Sequence, residues 1–309
     1  MHTEQTLYVT HSDCLKHEIP EHPESSKRLS AIEAAINTSN IASRLQRLEA
    51  PEIQPEDVLR VHSQKHLDHI IQNAPIEGIT SLDADTHMCS HTYRAARLAA
   101  GAVLFATNEI LHQRGTRAFC AVRPPGHHAE RDRPMGFCLF NNIAIATAFA
   151  LHHKDIERAV IIDFDVHHGN GTENIFMKDS RVLICSSYES PLYPDTGCES
   201  IPGHIINLPF SAGTEGDTYT EQVLRQWIPA IEEFKPDIMF ISAGFDAHKD
   251  DPLANMMLED QHYYTLTKAL CEVAQKVCGG KIISSLEGGY EVNALSRSVL
   301  AHVKALTEY

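Results

Sequence analysis

Six short apolar runs recur along the chain, each unbroken rather than alternating, and stretches of helical periodicity separate them. The runs are residues 6–10 (TLYVT), 117–122 (RAFCAV), 159–165 (AVIIDFD), 181–187 (RVLICSS), 237–243 (DIMFISA) and 280–286 (GKIISSL). Continuous β-branched and apolar residues suit strands covered on both faces. Residues 27–38, 91–113, 140–153, 217–233, 260–277 and 293–305 carry helical spacing, with Asp217 and Asp260 as candidate N-caps. This alternation predicts an α/β fold with a mostly parallel sheet and helices on both faces. No repeat, low-complexity stretch or Pro/Gly/Ser-rich linker interrupts it, so residues 1–309 read as one domain.

Ligands in such folds bind beyond the carboxyl ends of the strands. Chemically capable residues cluster at those positions. Asp163, Asp165 and His167 follow AVII, Asp246 follows IMFISAGF, Glu287 and Tyr290 follow IISSL, and His127 and His128 follow FCAVRPPG.

Composition narrows the class. Hydrophobic residues make up 43% and charged residues 22%, which excludes a disordered or collagen-like chain. Lys+Arg minus Asp+Glu is 26 − 41 = −15. An acidic surface repels phosphate backbones, so nucleic-acid binding is not expected, whereas a Lys-rich peptide or a polyamine would be attracted. Cysteines at 14, 89, 120, 138, 185, 198, 271 and 278 form no CxxC pair and predict reduced thiols in an intracellular, cytoplasmic protein. The start, MHTEQTLYVT, lacks the pattern of a signal peptide. The longest apolar run, residues 143–151, is far below the ~20 residues that span a bilayer.

In IIDFDVHHGNG, strand alternation would put Asp163, Asp165 and His167 on one face if the extended run persists. Asp165 and His167 can then offer a carboxylate oxygen and an imidazole nitrogen to one cation, with Asp246 of SAGFDAH as the third ligand. Two carboxylates and one imidazole leave a tetrahedral ion one open position, which is the pattern of a catalytic zinc site. His127-His128, on the stiff segment RPPGHH, suits proton transfer at an attacking water. Asp163 and Asn170 are available to set two imidazoles apart, because an Asp partner favours the cation and an Asn adds no charge. His152-His153 reads as helix surface. In LEGGY, two glycines let backbone approach a ligand, and the Tyr290 hydroxyl can donate to a developing oxyanion.

Taken together, RPPGHHAERDRPMGFCLFNN, IIDFDVHHGNGT, SAGFDAH and LEGGY resemble the zinc-dependent histone deacetylase superfamily. That group includes bacterial deacetylase-like amidohydrolases, acetylpolyamine amidohydrolases and acetoin-utilisation proteins. The resemblance runs from HPESSKRL, residues 22–29, to LEGGY. It implies a three-layer α/β/α arginase–deacetylase fold around a central parallel sheet of about eight strands.

By motif it also implies Asp165, His167 and Asp246 as zinc ligands, and His127 as the tandem member paired with Asp163. His128 would be the main general base and acid with Asn170 behind it, and Tyr290 would polarise the carbonyl. Asn170 resembles class II-like members, where class I members usually carry Asp. Arg28 resembles the arginine that lines the product channel for acetate. Gly136, Phe137 and Tyr193 match the walls of an acyl-lysine tunnel. Leu253 stands where polyamine-type members carry an acidic gate, and Asp250 and Asp251 beside it read as loop charges able to attract a cation. A potassium ion would use Asp163, Asp165, His167 and Ser186, and a second cation would lie around Phe176, Asp179 and Val182.

The expected activity is therefore hydrolysis of N-acyl amides, with acyl-lysine proteins or peptides ahead of acetylpolyamines as partners. A noncatalytic acyl-group sensor would have lost a ligand, a tandem histidine or the tyrosine, and all are present.

Overall fold

The computed structural model describes residues 6–197 and 199–309. Cys198 and residues 1–5, on which part of the cysteine reading and the reading of the chain start rest, lie outside them. The seven described cysteines are unpaired. No helix among the described residues is long and apolar enough to cross a membrane.

Eight strands form one sheet: β1 (Thr6–Thr10), β2 (Leu45–Glu49), β5 (Arg117–Cys120), β6 (Ala159–Asp163), β7 (Val182–Glu189), β8 (Ile205–Phe210), β9 (Ile238–Ala243) and β10 (Ile282–Leu286). A small hairpin, β3 (Ile79–Ser81) and β4 (His87–Cys89), stands apart. The strand order is β2-β1-β5-β10-β9-β6-β7-β8, and every neighbouring pair is parallel. Strands β5, β6, β7, β9 and β10 are buried along their whole length, which is why they read as continuous apolar runs.

Of the eight strands in this sheet, the two with no counterpart among the six apolar runs, β2 and β8, are the edges. β2 is largely exposed and polar, and β8 tolerates Pro209 because an edge strand has no partner awaiting its N–H.

Helices cover both faces and complete a three-layer α/β/α fold, the layering that the resemblance implies. One layer holds α4 (Thr92–Leu111) and α5 (Asn142–Ala150). The other holds α1 (Ser26–Thr38), α9 (Val292–Leu306), α8 (Asp260–Cys278) and α7 (Gly216–Phe234), packed in that order. Shorter helices are α2 (Pro55–Val58), α3 (Gln64–Asn73) and α6 (Asn170–Phe176). The candidate caps are displaced. Glu215 caps α7 and Glu259 caps α8, so Asp217 and Asp260 lie within the first turns, where a carboxylate still meets the positive helix end.

The four strands expected to carry reactive groups, β5, β10, β9 and β6, are consecutive neighbours in the centre of the sheet. Their carboxyl ends therefore open onto one small region.

Candidate active site

β6 stops at Asp163, so the extended run does not persist through Asp165 and His167 as the alternation argument required. Instead the chain bends. The Asp163 carboxylate accepts from the Asp165 N–H at 3.2 Å, and Asp165 Oδ1 accepts from the His167 N–H at 2.9 Å. These local bonds hold the turn and leave the side chains converging.

Asp165, His167 and Asp246 each offer a ligand atom, all within 4.8 Å of one another. His167 Nδ1 lies 3.0 Å from Asp165 Oδ1 and 3.2 Å from Asp246 Oδ2. Asp246 Oδ1 is satisfied by the Val166 N–H, whereas its buried Oδ2 faces the His167 ring and has no backbone donor. The surrounding backbone fits around these oxygens. A Cβ at Gly288 would lie 1.9 Å from Asp246 Oδ2, and one at Gly244 would lie 2.1 Å from Asp165 Oδ2. Burial disfavours a charged His167, yet its two carboxylate neighbours outweigh that and raise it to about 10. The site thus favours positive charge between three converging donors. Two oxygens and one nitrogen fit a metal ion with a free position.

The tandem histidines stand beside this centre, their ring centroids 4.0 Å apart. His127 Nδ1 faces Asp163 Oδ2 at 3.0 Å, and His128 Nδ1 faces Asn170 Oδ1 at 2.8 Å. Burial opposes charge on both. The carboxylates of Asp165 and Asp163 override it and hold His127 well above the usual imidazole range. Around His128, burial is reinforced by the positive charge of His127 and His167, which keeps it well below that range. The two adjacent imidazoles are thus pushed in opposite directions, an arrangement that can serve acid–base chemistry. Glu287, flagged by sequence only for its position after a strand, anchors them: its Oε2 accepts from the Gly126 and His127 N–H groups at 2.6 and 3.2 Å. Burial pushes Glu287 up to about 7.

A cavity of about 190 Å³ leads to the pair, lined among others by Gly136, Phe137, Tyr193, Leu253 and Tyr290. Gly136 and Phe137 both have left-handed backbone, φ +56° and +67°. Gly136 is obligatory twice over, because a Cβ there would lie 2.4 Å from the His128 ring. Asp85 Oδ1 and Thr86 Oγ1 accept the Gly136 and Phe137 N–H groups and hold the turn. Phe137 meets Tyr290 edge-on at 5.9 Å, and Tyr193 meets His128 edge-on at 5.2 Å. Tyr193 and Leu253 remain 38% and 37% exposed, which places them at the mouth.

Asp251 is not the loop charge it was read to be. It is buried, and its carboxylate accepts the N–H groups of Tyr290 at 2.6 Å and Leu253 at 3.0 Å, tying the mouth to the floor. Burial and then the nearby Asp246 raise it to about 6.

Residues 22–306 match the histone deacetylase domain. The chain belongs to the histone deacetylase family. A histone deacetylase-like amidohydrolase of Pseudomonas aeruginosa is 35% identical over 277 residues, covering 87% of this chain and 72% of that protein. A probable deacetylase of Archaeoglobus fulgidus is 35% identical over 314 residues, covering 98% and 87%. An uncharacterized protein of Synechocystis is 39% identical over 302 residues, covering 96% and 97%. The crystal structure of the HDA15 HD domain superposes with a TM-score of 0.90 at 34% identity, covering 98% of this chain and 90% of that one.

This member of the histone deacetylase family also buries a charge cluster beneath the cavity. Arg28 donates from Nε to the Gly289 carbonyl at 2.7 Å, from Nη2 to the Glu287 carbonyl, and from Nη1 to Glu24 at 3.0 Å. Arg123 also binds Glu24. Two guanidinium groups thus face the one Glu24 carboxylate. Glu24 and Arg123 were missed by the sequence reading. The spacing of Glu24 and Arg28, four residues apart where the chain enters α1, was the available signal.

Ser186 flanks Asp163 on β7 and Ser242 flanks it on β9, and both hydroxyls are buried without a partner. The carbonyls of Phe176 and Asp179 accept the N–H groups of Asp179 and Val182 in a turn, and the Asp179 side chain pairs with Arg181. His152 and His153 lie just beyond α5, exposed and half-buried.

Proposed function

We propose that this chain is a zinc-dependent amidohydrolase that releases acyl groups from lysine side chains of proteins or peptides, acting as a single catalytic unit in the cytoplasm. The observation that carries the proposal is the convergence of Asp165, His167 and Asp246 at the floor of a cavity also lined by His128 and Tyr290. Zinc held by these three residues would polarise the amide carbonyl and lower the pKa of the attacking water toward ~7.

The chain's own residues do the rest. The aromatic and aliphatic walls, Phe137, Tyr193 and Leu253, bury a lysine stem by excluding water. His128, neutral before reaction, takes a proton from the attacking water. Burial keeps the Tyr290 hydroxyl protonated, its pKa well above the ordinary phenol value, so it can donate to the developing oxyanion. His127, held cationic by its carboxylate neighbours, adds positive charge beside the reacting centre. The C–N bond breaks, the protonated His128 returns its proton to the leaving amine, and the acid leaves as a carboxylate over Arg28. The orphaned hydroxyl of Ser186 supports a potassium ion held with Asp163, Asp165 and His167.

A second reading, acetylpolyamine hydrolysis, is favoured by Asp85 on the cavity wall and by the net charge of −15. Turnover of an acetyl-lysine peptide and of acetylspermidine, with and without chelator, separates the two. Preference for the peptide, abolished by chelator, supports the first. Preference for acetylspermidine overturns it.

A further inference from the structure

The Asn170 amide is held from both sides. Its Oδ1 lies 2.8 Å from His128 Nδ1, and its Nδ2 donates to Glu130 Oε1 at 2.8 Å. A carboxylate accepts hydrogen bonds and donates none, so Glu130 requires the NH₂ end of the amide. That turns Oδ1 toward His128. An amide oxygen also only accepts, so the hydrogen on His128 must sit on Nδ1. In a neutral imidazole the other nitrogen, Nε2, is then bare and able to take a proton. With the amide reversed, its NH₂ would face Nδ1, the ring hydrogen would move to Nε2, and the base would be blocked.

From this chain of constraints we propose that Glu130 is a positioning residue that fixes His128 in its proton-accepting tautomer through the Asn170 amide. The proposal rests on the reading of His128 as the general base.

Three features place Glu130 for this role. His62 Nε2 accepts the Asn141 N–H at 2.9 Å, so its Nδ1–H is the donor to the Glu130 carbonyl, also at 2.9 Å. The Glu130 N–H donates to the Arg133 carbonyl, closing a tight turn. Gly171, next to Asn170, lets α6 press on the same segment, since a Cβ there would lie 2.4 Å from the Ala129 carbonyl oxygen. Glu130 also borders an open cavity of about 360 Å³ that shares no lining residue with the tunnel. Its carboxylate can stay hydrated while it reaches a buried amide. The Met135 sulfur at 3.3 Å and the His128 carbonyl at 3.5 Å are weaker acceptors on the same nitrogen. They leave some preference for the correct orientation, so removing Glu130 should weaken the control rather than abolish it.

The test reads the ring directly, in metal-free protein labelled with ¹⁵N-histidine and assigned against His128→Phe. Wild type should show a protonated Nδ1 and a bare Nε2 on His128. Glu130→Gln should add a population with the hydrogen on Nε2 and lower kcat for an acetyl-lysine peptide on the order of tenfold, with KM unchanged. Glu130→Asp, which keeps an acceptor-only group, should recover most of the loss. In an Asn170→Asp background the acceptor on His128 is fixed regardless of Glu130, and there Glu130→Gln should cost nothing further. An unchanged ring spectrum in Glu130→Gln, or an equal loss in both backgrounds, overturns the proposal. Absence of turnover in wild type would instead remove the functional reading, with the tautomer still readable.

Discussion

The Arg28 guanidinium lies beneath Tyr290, with Cζ 5.0 Å from the ring centroid while Nε bonds the carbonyl of the residue before it. One buried cation thus fixes the backbone that presents the proposed oxyanion donor. Arg28→Met removes those bonds and leaves Glu24 with fewer partners. The expected cost is ~3–5 kcal/mol, the usual consequence of breaking a buried ion pair. Chemical denaturation measures it, and kcat should fall in parallel because the Gly289-Tyr290 turn loosens.

Tyr290→Phe removes only a hydroxyl. Loss of one oxyanion donor should lower kcat ~10²–10³-fold while metal content stays at the wild-type value. Steady-state kinetics with metal analysis checks both halves. Loss of metal in this variant would assign Tyr290 a different role.

Gly288→Ala perturbs the proposed metal centre without replacing a ligand. The added methyl would occupy the space of Asp246 Oδ2, 1.9 Å away, and crowd Asp165 Oδ2 at 2.6 Å. Zinc affinity should drop by orders of magnitude with the fold retained. Metal titration followed by circular dichroism reads the two effects separately.

Acid should destabilise the fold through buried neutral histidines. Burial alone pushes His302 down to about 3, and burial with the neighbouring His66 does the same to His62. The unfolded chain binds those protons near pH 6.5 and the folded chain does not, so stability is complete above that value and declines as pH falls toward 3. Each proton contributes about 1.4 kcal/mol per pH unit. His302 also bonds Thr267 and Ser284 from its two ring nitrogens, which an amide can imitate. His302→Gln should therefore flatten the pH dependence of the denaturation midpoint between pH 6 and 4 by about one proton. An unchanged slope would contradict the assignment.

Residues that repeat a local motif were legible in the sequence, and those that meet only through folding were not. Asp165 and His167 stand two apart and Asp246 follows a buried strand, so the triad could be assembled from spacing and strand ends. The three side chains converge even though the strand alternation ends at Asp163, because hydrogen bonds in the bend after β6 turn Asp165 and His167 inward. The central strands announced themselves by continuous apolar character, whereas β2 and β8 carry the mixed composition of edges. Glu24 reaches Arg123 across ninety-nine positions, and no periodicity predicts such a pair. Asp251 looked like one of two adjacent loop acids until the fold buried it against the Tyr290 and Leu253 N–H groups.

The central claim is that Asp165, His167 and Asp246 together hold the zinc on which amide hydrolysis depends. Its most direct test is a zinc titration of chelator-treated protein, followed by turnover of an acetyl-lysine peptide, with Asp246→Ala in parallel. Activity should rise in proportion to added zinc and level off at one equivalent, and the variant should bind none and remain inactive. Full turnover in the chelated protein, or one equivalent bound by Asp246→Ala, would contradict the account.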